Sequence, residues 1–254
     1  MKRHQDQLTF NLATAEALGL DNYYISDSNK LAVKLIDKWR SWTNRKLILL
    51  GPTASGKSHL ANYWATESGA VKLSPSTLFS KDVIEISRNK AILIEDLDDL
   101  LLINTDESSH IQEALFHLLN TLSQSTCYLL ITGCPPLSSW PISIPDLFSR
   151  LKSYASVNLM QPDDTLLTAV MIKQFEDKQI KASPELIAFV SKRIKRTFSS
   201  VRDFVDLIDE LTLKEKREVT IPVASMVIDR LVNIEKADGF EEHTSVNEGK
   251  EISG

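Results

Sequence analysis

Leu47-Ile-Leu-Leu50-Gly51-Pro52-Thr53-Ala54-Ser55-Gly56-Lys57-Ser58 is the stretch on which the fold turns. Four apolar residues run directly into G-x-x-x-x-G-K-[ST], and helical periodicity follows through His59–Thr66. A continuous apolar run suits a strand buried on both faces of a parallel sheet. Glycines at 51 and 56 let backbone N–H groups curl round phosphate oxygens, and the helix that follows adds its own free N–H groups and dipole. In that frame Lys57 neutralises the outer phosphates and the Ser58 hydroxyl is a candidate Mg²⁺ ligand. The position between strand and helix makes the motif far more specific than its bare pattern.

Outward from this loop, apolar runs alternate with amphipathic stretches. Strands are expected at 47–50, 70–73, 91–94, 128–132 and 157–160, and helices from Ser28, over 59–66 and over 111–122. After Pro162 the strand pattern stops, and helices are expected over 163–179, 184–195, 200–216 and 222–235, with Pro184 and Pro222 near helix starts. The chain thus reads as an α/β domain, a parallel sheet flanked by helices, plus a small all-helical domain. Boundaries are expected as a flexible arm 1–15, the α/β domain 16–162, the helical domain 163–236 and a disordered acidic tail 237–254.

Composition agrees with such a protein. Of 254 residues, 43% are hydrophobic and 25% charged, enough for one large core and a small one. No apolar run approaches the length a bilayer requires, and the N-terminus Met1-Lys-Arg-His has no apolar signal core, so a cytoplasmic address is expected. A net charge of −5 argues against a surface that grips phosphate backbones throughout, and favours a protein partner over DNA. Cys127 and Cys134 have neither zinc nor disulfide spacing.

A nucleotide site of this kind needs an apolar strand ending in acids. Ala91-Ile-Leu-Ile-Glu95-Asp96 supplies it: Glu95 would face the metal and Asp96 could polarise an attacking water. Taken alone, Glu95, Asp96, Asp98 and Asp99 read equally well as a solvated turn. Two arginines stand where a nucleotide machine could use them, Arg150 in Pro145-Asp-Leu-Phe-Ser-Arg150-Leu and Arg202 in Ser199-Ser-Val-Arg202-Asp-Phe, although an isolated helix arginine is ordinarily a solvated one. In the arm, Gln7-Leu8-Thr9-Phe10-Asn11-Leu12 spaces three bulky apolar residues in a polar segment. These either dock as an extended peptide in a partner's pocket or pack back on their own domain.

These residues resemble the AAA+ domain of the bacterial initiator DnaA and, more closely, its short paralogues, the Hda-type regulatory inactivators, over about residues 7–234. Asp21-Asn22-Tyr23-Tyr24-Ile-Ser with Ser28-Asn29-Lys-Leu-Ala32 is similar to the segment that encloses the adenine. Gly51 through Ser58 with His59-Leu60 resembles the family's Walker A, Gln112-Glu-Ala-Leu-Phe-His-Leu-Leu-Asn120 its motif after Walker B, and Leu130-Ile-Thr132-Gly-Cys-Pro-Pro136 its sensor 1 strand. The resemblance implies ADP or ATP with Mg²⁺ as ligand, contacted by Tyr23, Tyr24, Asn29 and residues 51–59. It implies arginine-finger and sensor 2 roles for Arg150 and Arg202. It also implies β sliding-clamp binding by Gln7, Leu8, Phe10 and Leu12. Two positions depart from the pattern: Glu95 stands where Asp is usual, and Cys134 where Asp is common, which points to weak intrinsic hydrolysis or a resting ADP state.

The function implied is negative regulation of replication initiation: a clamp-tethered chain, able to self-associate, that promotes hydrolysis of DnaA-bound ATP. No helix-turn-helix follows the lid within these residues, so DNA contact is expected mainly through the clamp. The alternatives are a self-contained motor or helicase loader, and a non-catalytic scaffold in which nucleotide only holds the domains together.

Overall fold

In the computed structural model, which describes residues 23–74, 83–102, 105–215 and 219–244, the chain divides into units Met1–Pro162 and Asp163–Gly254. The first unit runs α1 (Lys30–Asp37), β1 (Lys46–Leu50), α2 (Lys57–Ser68), β2 (Val71–Leu73), α3 (Val83–Ser87), β3 (Ala91–Ile94), α4 (Leu97–Leu101), α5 (Thr105–Ser123), β4 (Tyr128–Gly133), α6 (Pro145–Lys152) and β5 (Ala155–Asn158). Its five strands lie in the order β2-β3-β4-β1-β5, and every neighbouring pair is parallel. β4 is therefore inserted between the strand that leads into the glycine loop and the strand that ends in acids. Their carboxyl ends, where ligands of open parallel sheets bind, meet on one edge of the sheet.

The alternation of side chains along each strand explains why continuous apolar runs were needed. Ile48, Leu50, Ile92, Ile94, Leu129 and Ile131 face a core closed by Ile111, Leu115, Leu118, Leu119 and Leu122 of α5. Leu47, Leu49, Ala91, Leu93 and Leu130 face the opposite core, closed by α1, α2 and three tryptophans. There Trp42 stacks on Trp64 with centroids 5.4 Å apart, and Trp39 meets Trp64 edge-on.

Among the departures from the expected ranges, three in this unit have a physical reason in the structure. β5 covers 155–158 rather than 157–160: as an edge strand it needs little apolarity, and Leu159 leaves the ladder to donate its N–H to the Leu50 carbonyl at 2.6 Å. α5 begins at Thr105, six residues before its apolar periodicity shows. α1 starts two residues after Ser28, because Ser28 and Asn29 belong to the turn before it.

The second unit is α7 (Asp164–Asp177), α8 (Pro184–Ser191), α9 (Phe198–Glu215) and α10 (Ile221–Thr244). The Asp163 carboxylate and the Ser183 hydroxyl cap α7 and α8 by accepting from the N–H groups of Leu166 and Leu186. Leu167, Met171, Phe175, Val190, Phe204 and Val227 share its core. α10 continues to Thr244, eight residues beyond position 236, where the helical domain was expected to give way to a disordered tail. Among the described residues no helix is long and apolar enough to cross a membrane.

Candidate functional site

The loop between β1 and α2 is held open from beneath. Gly51 donates its N–H to the Gly133 carbonyl at 3.1 Å, and a Cβ at Gly51 would stand 2.7 Å from Ser55 Oγ and 2.8 Å from the Leu159 carbonyl oxygen. Only glycine fits this approach. Ala54 (φ 59°) and Gly56 (φ 94°) take left-handed conformations, which bends the loop back on itself before α2 begins. α2 has no side-chain cap and no acid in its first turn, so its N-terminal N–H groups and dipole stay available to an anion. Ser55 Oγ is buried without a hydrogen-bond partner among the described residues.

Lys57 is buried, and its Nζ donates to the carbonyls of Gly51 at 2.8 Å and Pro52 at 3.2 Å. Cys134 Sγ lies 4.0 Å from both Lys57 Nζ and Thr53 Oγ1. Burial pushes the Cys134 thiol above its ordinary pKa, the Lys57 ammonium pulls it back, and Asp98 pushes it further up. Ser58, on the first turn of α2, is exposed, as an oxygen donor to a loop-bound cation must be.

The acids after β3 are three distinct groups. Glu95 is engaged by Lys72 of β2, Nζ to Oε2 3.3 Å. Asp96 adopts a left-handed conformation (φ 46°), stabilised because its N–H donates to Thr132 Oγ1 at 2.9 Å while the same hydroxyl lies 3.4 Å from Asp96 Oδ1. Asp98 is not solvated: it is buried, its Oδ2 accepts the Cys134 N–H at 3.0 Å, and its Oδ1 has no partner among the described residues. Thr132 and Asp98 thus tie the ends of β3 and β4 together. The sequence signals that could have marked them are a threonine closing an otherwise apolar strand, and an acid two positions into a short helix packed on that strand.

On the other side of the loop, Tyr23 is buried and its ring stacks on His59, centroids 5.3 Å apart and 13° from coplanar. Burial raises the Tyr23 hydroxyl above its ordinary pKa, with a hydrogen bond to Asn29 partly offsetting it. The Asn29 amide donates to the Tyr24 carbonyl and accepts the Ser26 N–H, so it fixes the path of 24–29. The structure therefore brings Tyr23, Tyr24 and Asn29 to the same end of the sheet as residues 51–59.

Arg150 is placed elsewhere. It lies on α6 beside Asn44, Ser125 and Tyr154, which precede β1, β4 and β5, and beside Lys46, which opens β1, and so at the amino ends of the strands. β1, with five residues at about 3.3 Å each, puts roughly 16 Å between that end and the loop. Arg150 Nη1 contacts the Leu119 carbonyl at 3.5 Å. The entry to α6 is set by Gln112 of α5, 3% exposed, whose Oε1 accepts from Ser143 N, Ser143 Oγ and Ile144 N at 2.7, 3.0 and 3.3 Å. Arg202 lies on α9 of the second unit, exposed, 3.7 Å from Asp203. Gln7, Leu8, Phe10 and Leu12 lie outside the described residues.

Together the glycine cradle, the uncapped helix start, Lys57 and the orphaned Ser55 hydroxyl fit a chain of phosphates. Among the described residues no three His, Cys, Asp or Glu side chains are grouped as a metal site. Mg²⁺ suits such a place because it needs only one or two protein oxygens beside those of a phosphate, and Ser58 and Glu95 are the candidates.

No family model matches the chain. It is 26% identical over 233 residues to an uncharacterised protein of Haemophilus influenzae, covering 88% of this chain and 98% of that protein. It is 26% identical over 237 residues to the chromosomal replication initiator protein DnaA of Flavobacterium psychrophilum, covering 84% of this chain but only 48% of that one, so it spans about half the length of that relative. Domain III of the Thermotoga maritima replication initiation protein DnaA superposes with a TM-score of 0.70 at 16% identity, over 86% of this chain and 98% of that one. AMPPCP-bound DnaA from Aquifex aeolicus superposes with a TM-score of 0.64 at 15% identity, over 77% and 67%. The chain has the parallel-sheet fold of an AAA+ domain, in the form it takes in domain III of the Thermotoga maritima DnaA.

Proposed function

We propose that this chain is a DnaA-related regulator of replication initiation that binds an adenine nucleotide in its own glycine loop and presents Arg150 to the ATP held by a DnaA molecule, promoting its hydrolysis. The observation that carries the reading is the placement of Arg150 at the amino ends of the strands, about 16 Å along β1 from the loop. It is too far to serve its own phosphates and open to those of a neighbour. An arginine supplied in trans is worth about 10³–10⁵ in phosphoryl-transfer rate. The Lys72 ammonium held against Glu95 supports weak hydrolysis at the chain's own site, so that nucleotide there sets conformation rather than drives work.

Binding of adenine nucleotide by this chain is supported by the loop geometry and by the AMPPCP found in the Aquifex aeolicus DnaA structure. Arg202 on α9 serves the chain's own nucleotide in this reading, and Gln7, Leu8, Phe10 and Leu12 attach the chain to the β sliding clamp. The test is turnover of DnaA-bound ATP with and without this chain, in the presence of clamp-loaded DNA. A rate raised only when the chain and the clamp are both present supports the reading. An unchanged DnaA rate, with brisk hydrolysis by this chain alone, replaces it with a self-contained ATPase.

A further inference from the structure

The cavity around Arg150 holds more cationic and hydroxyl groups than a single finger needs. It encloses about 710 Å³ and is lined by Arg45, Lys46, Ser149, Arg150 and Tyr154, with Asp146 as its one acid. Among the described residues neither Arg45 nor Arg150 is paired with a carboxylate. The Tyr154 hydroxyl is buried without a hydrogen bond of good geometry among the described residues; burial raises its pKa and the neighbouring Arg150 guanidinium pulls it back, so phenol and guanidinium stand together at the cavity wall. Asp146 lies in the first turn of α6, where the helix dipole already engages its charge. Lys46 points its Nζ at the Cys127 carbonyl, 2.8 Å away, and adds field rather than contact.

Arg45 reaches this place at a cost. Asn44 and Arg45 both take left-handed conformations, φ 55° and 58°, and such residues without glycine persist where the surroundings over-determine them, commonly at ligand sites. The Arg45 guanidinium lies 5.9 Å from the Tyr128 ring centroid, which steadies it beside the cavity.

We infer that this cavity is a polyphosphate-binding site in its own right, in which Arg45 and the Tyr154 hydroxyl join Arg150 in gripping a chain of phosphates. Guanidinium forks match phosphate oxygens bidentately, and the phenol O–H beside Arg150 completes the donor set. The volume exceeds what a single orthophosphate fills. The same chemistry arrives from two sources: the triphosphate of a nucleotide held by a neighbouring protein, or a free polyphosphate. A free ligand occupies Arg150 and so withholds it from the neighbour, which makes the cavity a point of inhibition. That consequence rests on the function proposed above, whereas the binding does not.

The test uses the full chain carrying Lys57→Ala, so that the glycine loop does not contribute, titrated with inorganic tripolyphosphate by calorimetry at low salt. One saturable site is expected. Adding Arg150→Ala or Arg45→Ala is expected to weaken it about tenfold or more, and Tyr154→Phe, which keeps the ring packing, about tenfold, each being the loss of a hydrogen bond to a charged group. Circular dichroism checks that the variants fold, and Tyr154→Phe carries the test if the arginine variants do not. Absence of a saturable site in the Lys57→Ala chain, or affinity unmoved by Tyr154→Phe, overturns the inference. The source is separated by adding tripolyphosphate to the DnaA-bound ATP assay: competitive loss of stimulation shows that the free anion and the neighbour's nucleotide share the cavity. Tripolyphosphate binding without any stimulation of DnaA sinks the proposed function and leaves this site standing. Stimulation without binding to the isolated chain does the reverse.

Discussion

Lys72 Nζ on β2 stands 3.3 Å from Glu95 Oε2 just after β3, so the first acid after that apolar strand is already held by a cation from the edge of the sheet. The pair is part-exposed, with the lysine side chain 51% and the glutamate 27% accessible, and such pairs contribute at most about 1 kcal/mol. It competes with a cation rather than locking Glu95 away. Lys72→Ala is expected to tighten Mg²⁺-dependent nucleotide binding by a few-fold, about what 1 kcal/mol allows, with little effect without Mg²⁺. Paired titrations with and without Mg²⁺ check this; equal affinities for Lys72→Ala and wild type in Mg²⁺ would remove Glu95 from the metal's surroundings.

Thr132 is expected to matter for stability as well as for the site. Its hydroxyl accepts the N–H of Asp96, whose backbone is left-handed. Thr132→Val keeps the volume and leaves that N–H without its acceptor, costing about 1–3 kcal/mol. Urea unfolding measures the loss, and a variant as stable as wild type would show that the bond does not hold the turn.

The two cysteines are expected to separate chemically. Cys127 is buried, and burial pushes its thiol up to about 11, while Cys134 is half-buried at the glycine loop with a thiol raised less clearly and pulled back by Lys57. Both are protonated at pH 8, so iodoacetamide should modify Cys134 slowly and Cys127 hardly at all. The Cys134 rate should rise about tenfold per pH unit until its pKa is passed. ADP should protect Cys134, because its Sγ lies 4.0 Å from Lys57 Nζ. Mass spectrometry of the labelled peptides checks the order; labelling of Cys134 indifferent to nucleotide would place the phosphates elsewhere.

Much of the fold was legible because parallel strands buried on both faces write themselves as apolar runs. Leu47–Leu50 and Ala91–Ile94 are such runs, and the glycine loop between β1 and α2 follows from local chemistry alone. β5 lies two residues before its apolar signal for the converse reason: Ala155, Ser156 and Asn158 are exposed on an edge strand, where no apolar pattern is required, and the apolar Leu159 and Met160 lie beyond it. The site was legible in its loop and its first acids. Asp98 has no task legible in the sequence, since nothing local shows that Cys134, 36 positions on, brings its N–H to that carboxylate. Lys72 carries no signal in the sequence, because its pairing with Glu95 depends on β2 lying beside β3, which is a fact of topology. Gln112 stood in a motif without a visible task until the turn before α6 closed on it.

Single-turnover hydrolysis of ATP preloaded on DnaA tests most directly whether Arg150 acts on a neighbour's nucleotide, with wild type, Arg150→Ala and Arg150→Lys compared on clamp-loaded DNA. Arg150→Ala is expected to keep the chain's own nucleotide affinity, since the guanidinium lies at the other end of β1, and to lose the stimulation by about 10³ or more where wild type shows that much. Arg150→Lys should recover little, because an ammonium lacks the planar fork. Stimulation by Arg150→Ala equal to that of wild type would rule out an arginine supplied in trans and leave the chain a scaffold.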